Sequence, residues 1–538
     1  MKRFRLLSLL LFTFHFGIAQ EVLPIWARTD TTEGNAALGK LPILLLDSFQ
    51  NIILCGETYN AGPLIGFFVV KYDENGNRLW EKRYDTSAQD AIKSAVTDAS
   101  GAVYVGGDSK HEITQKAQFI VFKYGVNGDS LWQYRYSDDP NIVTGLNSIL
   151  FTPDNNLILL GRFSNNSIPN SGLLAVALDT LGNKLWEAEY SEGTFGYAGL
   201  SGQLLSDEIV FWGRHGSDEG NRFFSWHLDL DGNTIHTGES SPYANYFQES
   251  YHIDAQGNLY IGDYNKQYIV TKYNVSGMFE WDYQKPLFDN PNGVDGLVRA
   301  IVTDSELNTY IGGLYYQDTI GKLIPIQSKI DQDGNLIWEH IFQLDTLSIA
   351  SATTVEWLTQ DRLLFTGAYP IDLINNTYQP YFNIYTPDGP YHSALSPLQG
   401  VRNWPREILI DSEYLYIGGT FDDGTSPSSK KGYFLAKYNL NTVGLQPLPT
   451  CSESRHLSIS PNPFTTDFQV DCTAFAVYGP ARLCVRSLDG RLVWEKHEVL
   501  YPGQKAIRIE VPAGVKPGGY LVSIEVAGDL YSGRIIKN

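Results

Sequence analysis

Apolar and polar residues alternate with period two in short runs along most of the chain, and each run ends in a turn. The clearest run is Asn51-Ile52-Ile53-Leu54-Cys55-Gly56. It recurs at Ala102 to Gly107, Asn258 to Gly262, Thr309 to Gly313 and Tyr414 to Gly419, and in weaker form at Leu157 to Gly161, Ile209 to Gly213 and Leu363 to Gly367. Period-two alternation rich in β-branched and aromatic residues predicts strands rather than helices. A second phrase, Lys71-Tyr72-Asp73-Glu74-Asn75-Gly76-Asn77-Arg78-Leu79-Trp80, has relatives ending at Trp132, Trp186, His236, Trp281 and Trp338, with a degraded one near His392. Counted from Trp26, these positions are 45 to 57 residues apart. A period near 50 signals a propeller or a solenoid.

Each period holds four short strands, lettered A to D. In the second unit they are predicted near Ile92 to Thr97, Ala102 to Gly106, Phe119 to Tyr124 and Ser130 to Tyr136. A four-stranded sheet of this size has two apolar faces and must stack on neighbours. The D-x-x-G-N segments supply the tight turns. The last unit has strands A (Glu407 to Ile410), B (Tyr414 to Gly418) and C (Tyr433 to Tyr438), but no Trp strand follows. At the other end, Ile25 to Asp30 resembles Leu79 to Asp85. The expected architecture is therefore all-β: an eight-bladed β-propeller closed by an N-terminal outer strand. Seven blades is the rival count, because the fourth and seventh units are degraded. An open solenoid would leave a raw sheet edge at each end.

Over residues 20 to about 440 the repeat resembles the bacterial propeller repeats of exported surface proteins. It is more distantly similar to the tryptophan-docking repeats of quinoprotein dehydrogenases. Asp73, Gly76 and Trp80 echo that motif, with the Asp-to-Trp spacing one residue shorter and the characteristic Thr missing.

The amino terminus carries an address. Met1-Lys2-Arg3-Phe4-Arg5 is basic, Leu6 to Phe16 is apolar, and Gly17-Ile18-Ala19 offers a small-residue cleavage site, so residues 1–19 read as a secretory signal peptide. The apolar run is too short for a transmembrane helix, and no later stretch is long and apolar enough. The chain carries 60 acidic against 40 basic side chains, a net charge of −20, and the signal peptide holds three of the bases and no acid. An acidic surface repels phosphate backbones, so nucleic acid is not an expected partner. Of the four cysteines, Cys472 and Cys484 share the C-terminal segment and are the candidate disulfide, with Cys451 as a competitor for either and Cys55 far away.

Residues 441–456 read as a linker. The segment after it opens with Pro461-Asn462-Pro463, turns at Asp489-Gly490, continues through Gly518-Gly519-Tyr520-Leu521-Val522 and ends on Arg534 and Lys537. Over 457–538 this resembles the type A C-terminal sorting domain of type IX secretion cargo from Bacteroidota. The resemblance implies a small immunoglobulin-like β-sandwich recognised by the type IX outer-membrane translocon. It also implies delivery to the outer cell surface, with release or attachment there. Pro461, Asn462, Pro463, Gly490, Gly519, Tyr520 and Lys537 carry the sorting signal in that reading.

The A–B and C–D turns are short, whereas the B–C and D–A connections read as long and emerge on one face. Their aromatics make that face the candidate ligand platform: Tyr243, Tyr246, Phe247, Tyr315, Tyr316, Tyr369, Tyr378, Tyr381 and Trp404, with Tyr59 and Tyr197 among them. Tyr and Trp among Asn and Asp suit a glycan or a protein ligand. His111 with Glu112, and His215 with Asp218 and Glu219, fall on the same face. Gly128-Asp129-Ser130-Leu131 spells a lipase signature but occupies a standard C–D turn. Asp229 to Asn233 and Asp331 to Asn335 lack the glycine and glutamate positions of a calcium loop. The ten histidines are scattered, with no two at metal-ligand spacing. No catalytic residue, metal or cofactor is expected, and a monomer is. The first reading is a non-enzymatic binding module at the cell surface. The alternatives are a propeller enzyme, either a polysaccharide lyase or hydrolase or a quinoprotein-like oxidoreductase, and a structural part of a surface assembly. The quinoprotein version lacks adjacent cysteines.

Overall fold

The chain divides into two compact units, residues 1–444 and 445–538. A computed structural model describes residues 20–30, 35–36, 42–59, 65–84, 90–110, 116–136, 142–165, 170–191, 197–217, 220–240, 248–263, 268–285, 296–317, 322–341, 351–359, 362–372, 377–387, 389–396, 398, 402–424, 431–440 and 443 of the first unit, and 455–456, 459–460, 464–471, 479–487, 492–500, 506–510, 515, 518–526 and 529–537 of the second. Residues 1–19, the expected signal peptide, lie outside the described residues. Among the described residues every regular element is a strand.

Most of the turns form because one aspartate closes them. In the first C–D turn the Asp73 carboxylate accepts the backbone N–H groups of Asn75 (2.9 Å) and Asn77 (2.8 Å) and the Asn77 side-chain amide (2.9 Å). The Gly76 N–H returns to the Asp73 carbonyl at 3.0 Å, which puts Gly76 at φ +74°, a region other residues enter at a cost. Asp179, Asp229 and Asp331 build the same loop, and Asp47, Asp254 and Asp304 build it at A–B turns.

Between the turns lie antiparallel four-stranded sheets. The second runs through Asp90–Thr97, Val103–Lys110, Ala117–Tyr124 and Ser130–Arg135. The first has the same four strands and a two-residue addition at Asn35–Ala36, and the third to sixth repeat the pattern. The last two repeats, Ser351–Leu395 and Arg402–Asn439, join one nine-stranded sheet through a single parallel pair, Tyr378 with Arg402.

From the second repeat onward the innermost strand carries a bulge opposite the recurring glycine of strand B. The reason is steric. A Cβ on Gly107 would stand 1.9 Å from the Ala91 carbonyl oxygen, and one on Gly419 2.1 Å from that of Trp404. The recurring Gly thus lets the bulged strand press its carbonyl against strand B.

Apolar cores lie between consecutive sheets. Ile53, Phe67 and Val69 of the first sheet pack with Val103, Val105 and Ile120 of the second. Tyr104 and Val121 of the second pack with Leu157 and Val176 of the third. The series ends where it began: Tyr416, Tyr433 and Leu435 pack with Leu54, Phe68 and Val70 of the first sheet, and Trp26 completes that core. The strand Trp26–Asp30 pairs antiparallel with Lys431–Asn439, Trp26 opposite Lys437. The first unit is a β-propeller, with the strand Trp26–Asp30 on the outer edge of its final repeat.

A second device links neighbours. The strand-D tryptophan of each of six repeats donates its indole N–H to one carbonyl in the next C–D turn: Trp26 to Glu74, Trp80 to Val126, Trp132 to Thr180, Trp186 to Leu230, Trp281 to Gln332 and Trp338 to Pro387, all between 2.8 and 3.0 Å. The lysine paired across from the tryptophan reaches the same carbonyl in four cases, from Lys437, Lys71, Lys123 and Lys329. The rings of the first five lie over the turn glycine of the next repeat, as Trp26 does over Gly76, whereas Gly389 has His340 beside it.

In the second unit, strands Asp467–Asp471 and Ala506–Glu510 belong to a three-stranded sheet, and Gly479–Ser487, Leu492–Leu500, Gly518–Val526 and Asp529–Lys537 to a five-stranded one. Both contribute to one core, with Phe468, Val470, Ile507 and Ile509 from the first and Leu483, Val485, Val522, Ile524 and Ile535 from the second.

Candidate functional site

Connections on the B–C and D–A side are shorter than the sequence suggested. Strands B and C continue past the glycine, so that His215 pairs with Arg222 and Tyr369 with Gln379. This moves four of the expected platform residues. Tyr315, Tyr316, Tyr369 and Tyr381 are strand residues with their side chains buried, and burial pushes the Tyr381 phenol well up. They are packing residues rather than displayed loop aromatics, because pairing carries their backbone into the sheets. Tyr243, Tyr246 and Phe247 lie outside the described residues. Tyr378 and Trp404 keep partial exposure and stack on each other, with ring centroids 6.1 Å apart at 28°. They come from the starts of adjacent strands C and A, at the connection-rich end of the nine-stranded sheet.

A pocket of about 130 Å³ opens at the same end between the third and fourth sheets, lined by Val143, Thr144, Arg162, Phe163, Ser164, Ser171 and Tyr197. Arg162 is exposed, while Thr144 is held by the Phe119 N–H at 2.8 Å. Tyr197 stacks on His215 (5.1 Å, 26°), whose Nε2 meets Glu239 at 2.6 Å; Arg222 reaches the same carboxylate at 3.3 Å. His215 therefore partners Glu239. The expected company, Asp218 and Glu219, lies outside the described residues, as do His111 and Glu112.

The innermost strands bring two acids together. Glu356 and Glu407 sit on adjacent inner strands at the middle of the ring. Glu407 is surrounded densely enough that desolvation, and then the Glu356 charge, pushes its carboxyl up to about 8. Desolvation raises Glu356 as well. Neither was singled out from sequence, since 60 carboxylates offer no basis for choosing a pair.

The fourth sheet departs from the pattern. Its lysine position is His227 and its tryptophan position is His236, and the two pair directly across strands C and D. Their rings stack at 3.7 Å and 23°, and Glu208, from the start of strand B, contacts His227 Nδ1. Register thus brings together two histidines that looked unrelated at nine residues' separation. The signal was available: the positions that carry Lys and Trp elsewhere face each other in every repeat.

The lipase-like and calcium-like segments are turns. Gly128 has φ +85° and lies beneath the Trp80 ring. The Asp229 and Asp331 carboxylates are occupied by backbone N–H groups and the neighbouring asparagine, which hold both below the usual carboxylate range. Cys55 is buried and its thiol pushed up by desolvation. Cys484 is buried, whereas Cys472 lies outside the described residues.

Of the residues expected to carry a sorting signal, Gly519 and Tyr520 fall on the strand Gly518–Val526, with Tyr520 in the core. Lys537 ends the final strand and is buried, bridged to Phe464, whose N–H donates to Ile536 at 2.9 Å. Pro461, Asn462, Pro463 and Gly490 lie outside the described residues. No helix among the described residues is long and apolar enough to cross a membrane.

No protein-family description and no curated protein matches the chain. Solved structures similar to it are β-propeller proteins at low identity. The WD40 domain of SCAP from fission yeast is 9% identical over 78% of this chain and 99% of that one, with a TM-score of 0.42. The β-propeller domain of the Trilobed protease from Pyrococcus furiosus is 12% identical over 67% and 98%, at 0.36. PorZ, a surface component of the type-IX secretion system of Porphyromonas gingivalis, is 11% identical over 94% and 86%, at 0.25.

Proposed function

We propose that this protein is an exported β-propeller of eight blades that binds a glycan or a protein on its connection-rich face without catalysing a reaction. The observation that carries the reading is the stacked pair Tyr378 and Trp404 at that face, partly exposed beside the buried Gln379, Asn403 and Pro405. Paired aromatic faces suit the apolar side of a sugar ring or an aromatic side chain. The small Arg162–Tyr197 pocket on the same side accepts one projecting group rather than a whole drug-sized ligand, which fits recognition of a polymer. Export rests on the basic-apolar-small sequence of residues 1–19, and delivery on the sorting-domain resemblance over 457–538. In this reading the second unit is an immunoglobulin-like sandwich recognised by the type IX translocon, and the protein ends released or attached at the outer cell surface. A glycan array and a pull-down with the mature chain test the ligand. Tyr378→Ala with Trp404→Ala abolishes capture while the thermal transition stays within a few degrees; unchanged capture refutes the platform. Export of a chain lacking 457–538 refutes the sorting role.

The Glu356–Glu407 pair favours a second reading, a hydrolase or lyase, because a carboxyl still protonated near neutral pH is a ready general acid. Polysaccharide turnover that disappears in Glu407→Gln would replace the first reading with this one.

A further inference from the structure

The fourth sheet replaces both halves of the docking clamp with imidazoles, and the geometry around them is that of a ligand set. His227 is buried, and its Nε2 lies 3.0 Å from the carbonyl oxygen of Val275, in the next C–D turn. It lies at the same distance from the Ser225 hydroxyl, whose own proton goes to that carbonyl at 2.8 Å. A carbonyl can only accept, so Nε2 carries the hydrogen. This is the bond that Lys and Trp make elsewhere in the ring. It also fixes the tautomer and turns Nδ1 toward Glu208, in the manner of a metal-binding imidazole oriented by a backbone carbonyl. Nδ1 faces the Glu208 carboxylate, so a nitrogen and an oxygen donor stand side by side. His236 stacks alongside at the surface, and one ligand atom from each of Glu208, His227 and His236 lies within 4.8 Å of the others.

We infer that Glu208, His227 and His236 bind one late first-row divalent cation, of the zinc, copper or nickel class. Two imidazole nitrogens and one carboxylate oxygen suit these ions, whereas calcium and magnesium take oxygen cages. Donors around a tetrahedral zinc stand roughly 3.3–3.5 Å apart, within reach of a small rotation of the partly exposed Glu208 side chain. His236 and Glu208 open to solvent, which completes the coordination. The ion then ties strands B, C and D of this sheet together at the point where a tryptophan clamp is missing. The site is at the turn side of the ring, so its failure leaves the proposed ligand face untouched.

The test is metal uptake by the full mature chain after stripping with a chelator. Wild type takes up one Zn²⁺ per chain in titration calorimetry, and Co²⁺ substituted there gives visible ligand-field absorption. His236→Gln and Glu208→Gln, both at solvent-facing positions, weaken uptake by roughly tenfold or more. His227→Lys with His236→Trp restores the residues used by the other repeats; it retains the sheet-rich circular dichroism of wild type and loses uptake. Absence of uptake by wild type overturns the inference. So does uptake unchanged in either single variant or in the restored pair.

Discussion

The indole N–H of Trp26 donates to the backbone carbonyl of Glu74 at 2.9 Å, and Lys437 reaches the same oxygen at 3.1 Å. Trp26 lies on the strand that completes the final repeat, whereas Glu74 lies in the first C–D turn. The contact is the same one that Trp132 and Lys123 make with Thr180 inside the ring. The seam is therefore built like the interior junctions that carry both tryptophan and lysine. Trp26→Ala removes a buried indole and its hydrogen bond, and we expect a loss of about 3 kcal/mol, matching Trp132→Ala. Urea unfolding measures both; a seam variant costing under a third of the interior one would mean the ring does not depend on its closure.

Strand-B glycines answer to the bulges rather than to flexibility. Gly107→Ala places a methyl 1.9 Å from the Ala91 carbonyl oxygen, so the inner strand must shift. The expected cost is about 3 kcal/mol, read from the same unfolding curves.

Gly125 occupies the aspartate position of its turn, and its nearest prospective contacts are at 3.7 Å. Gly125→Asn lets a side-chain oxygen accept the N–H groups of Asn127 and Asp129, as Asn274 does for Ser276 and Met278. Its amide then faces the Asp129 carboxylate. Stabilisation by about 0.5–1 kcal/mol is expected, visible as a rise in Tm. A fall would show that this turn follows different rules from its sisters.

Glu407 makes stability depend on pH. Its carboxyl ionises near 8 in the folded chain and near the ordinary 4.5 once unfolded. Between those values the unfolded chain releases a proton that the folded chain keeps, so stability falls as pH rises from about 4.5 to 8 and levels off above. Glu407→Gln removes the fall. The variant exceeds wild type by on the order of 4–5 kcal/mol above pH 8, and the two converge near pH 4. Parallel pH profiles would discard the assignment.

Much of the scaffold is readable from residues alone because each repeat states it locally. Period-two runs, Asp-x-x-Gly-Asn turns and a tryptophan at fixed distance mark strand, reversal and clamp. Even the closing strand is legible, since Trp26 repeats the setting of Trp80. The surface is not. Tyr369 and Tyr378 look alike in sequence, yet one is buried where pairing continues and the other remains half-exposed where it begins. His227 and His236 look like decay of a motif until register sets them face to face. Glu407 owes its behaviour to what surrounds it, and the chain itself does not record that.

The strand that seals the ring finds its partner some 400 residues further along. Cores between early sheets can assemble as the polypeptide emerges, but the last junction must wait until residues 431–439 are present. Contacts so distant in sequence make for slow completion. A chain still searching for that latch keeps its first and last sheets apart, and its final locking falls late.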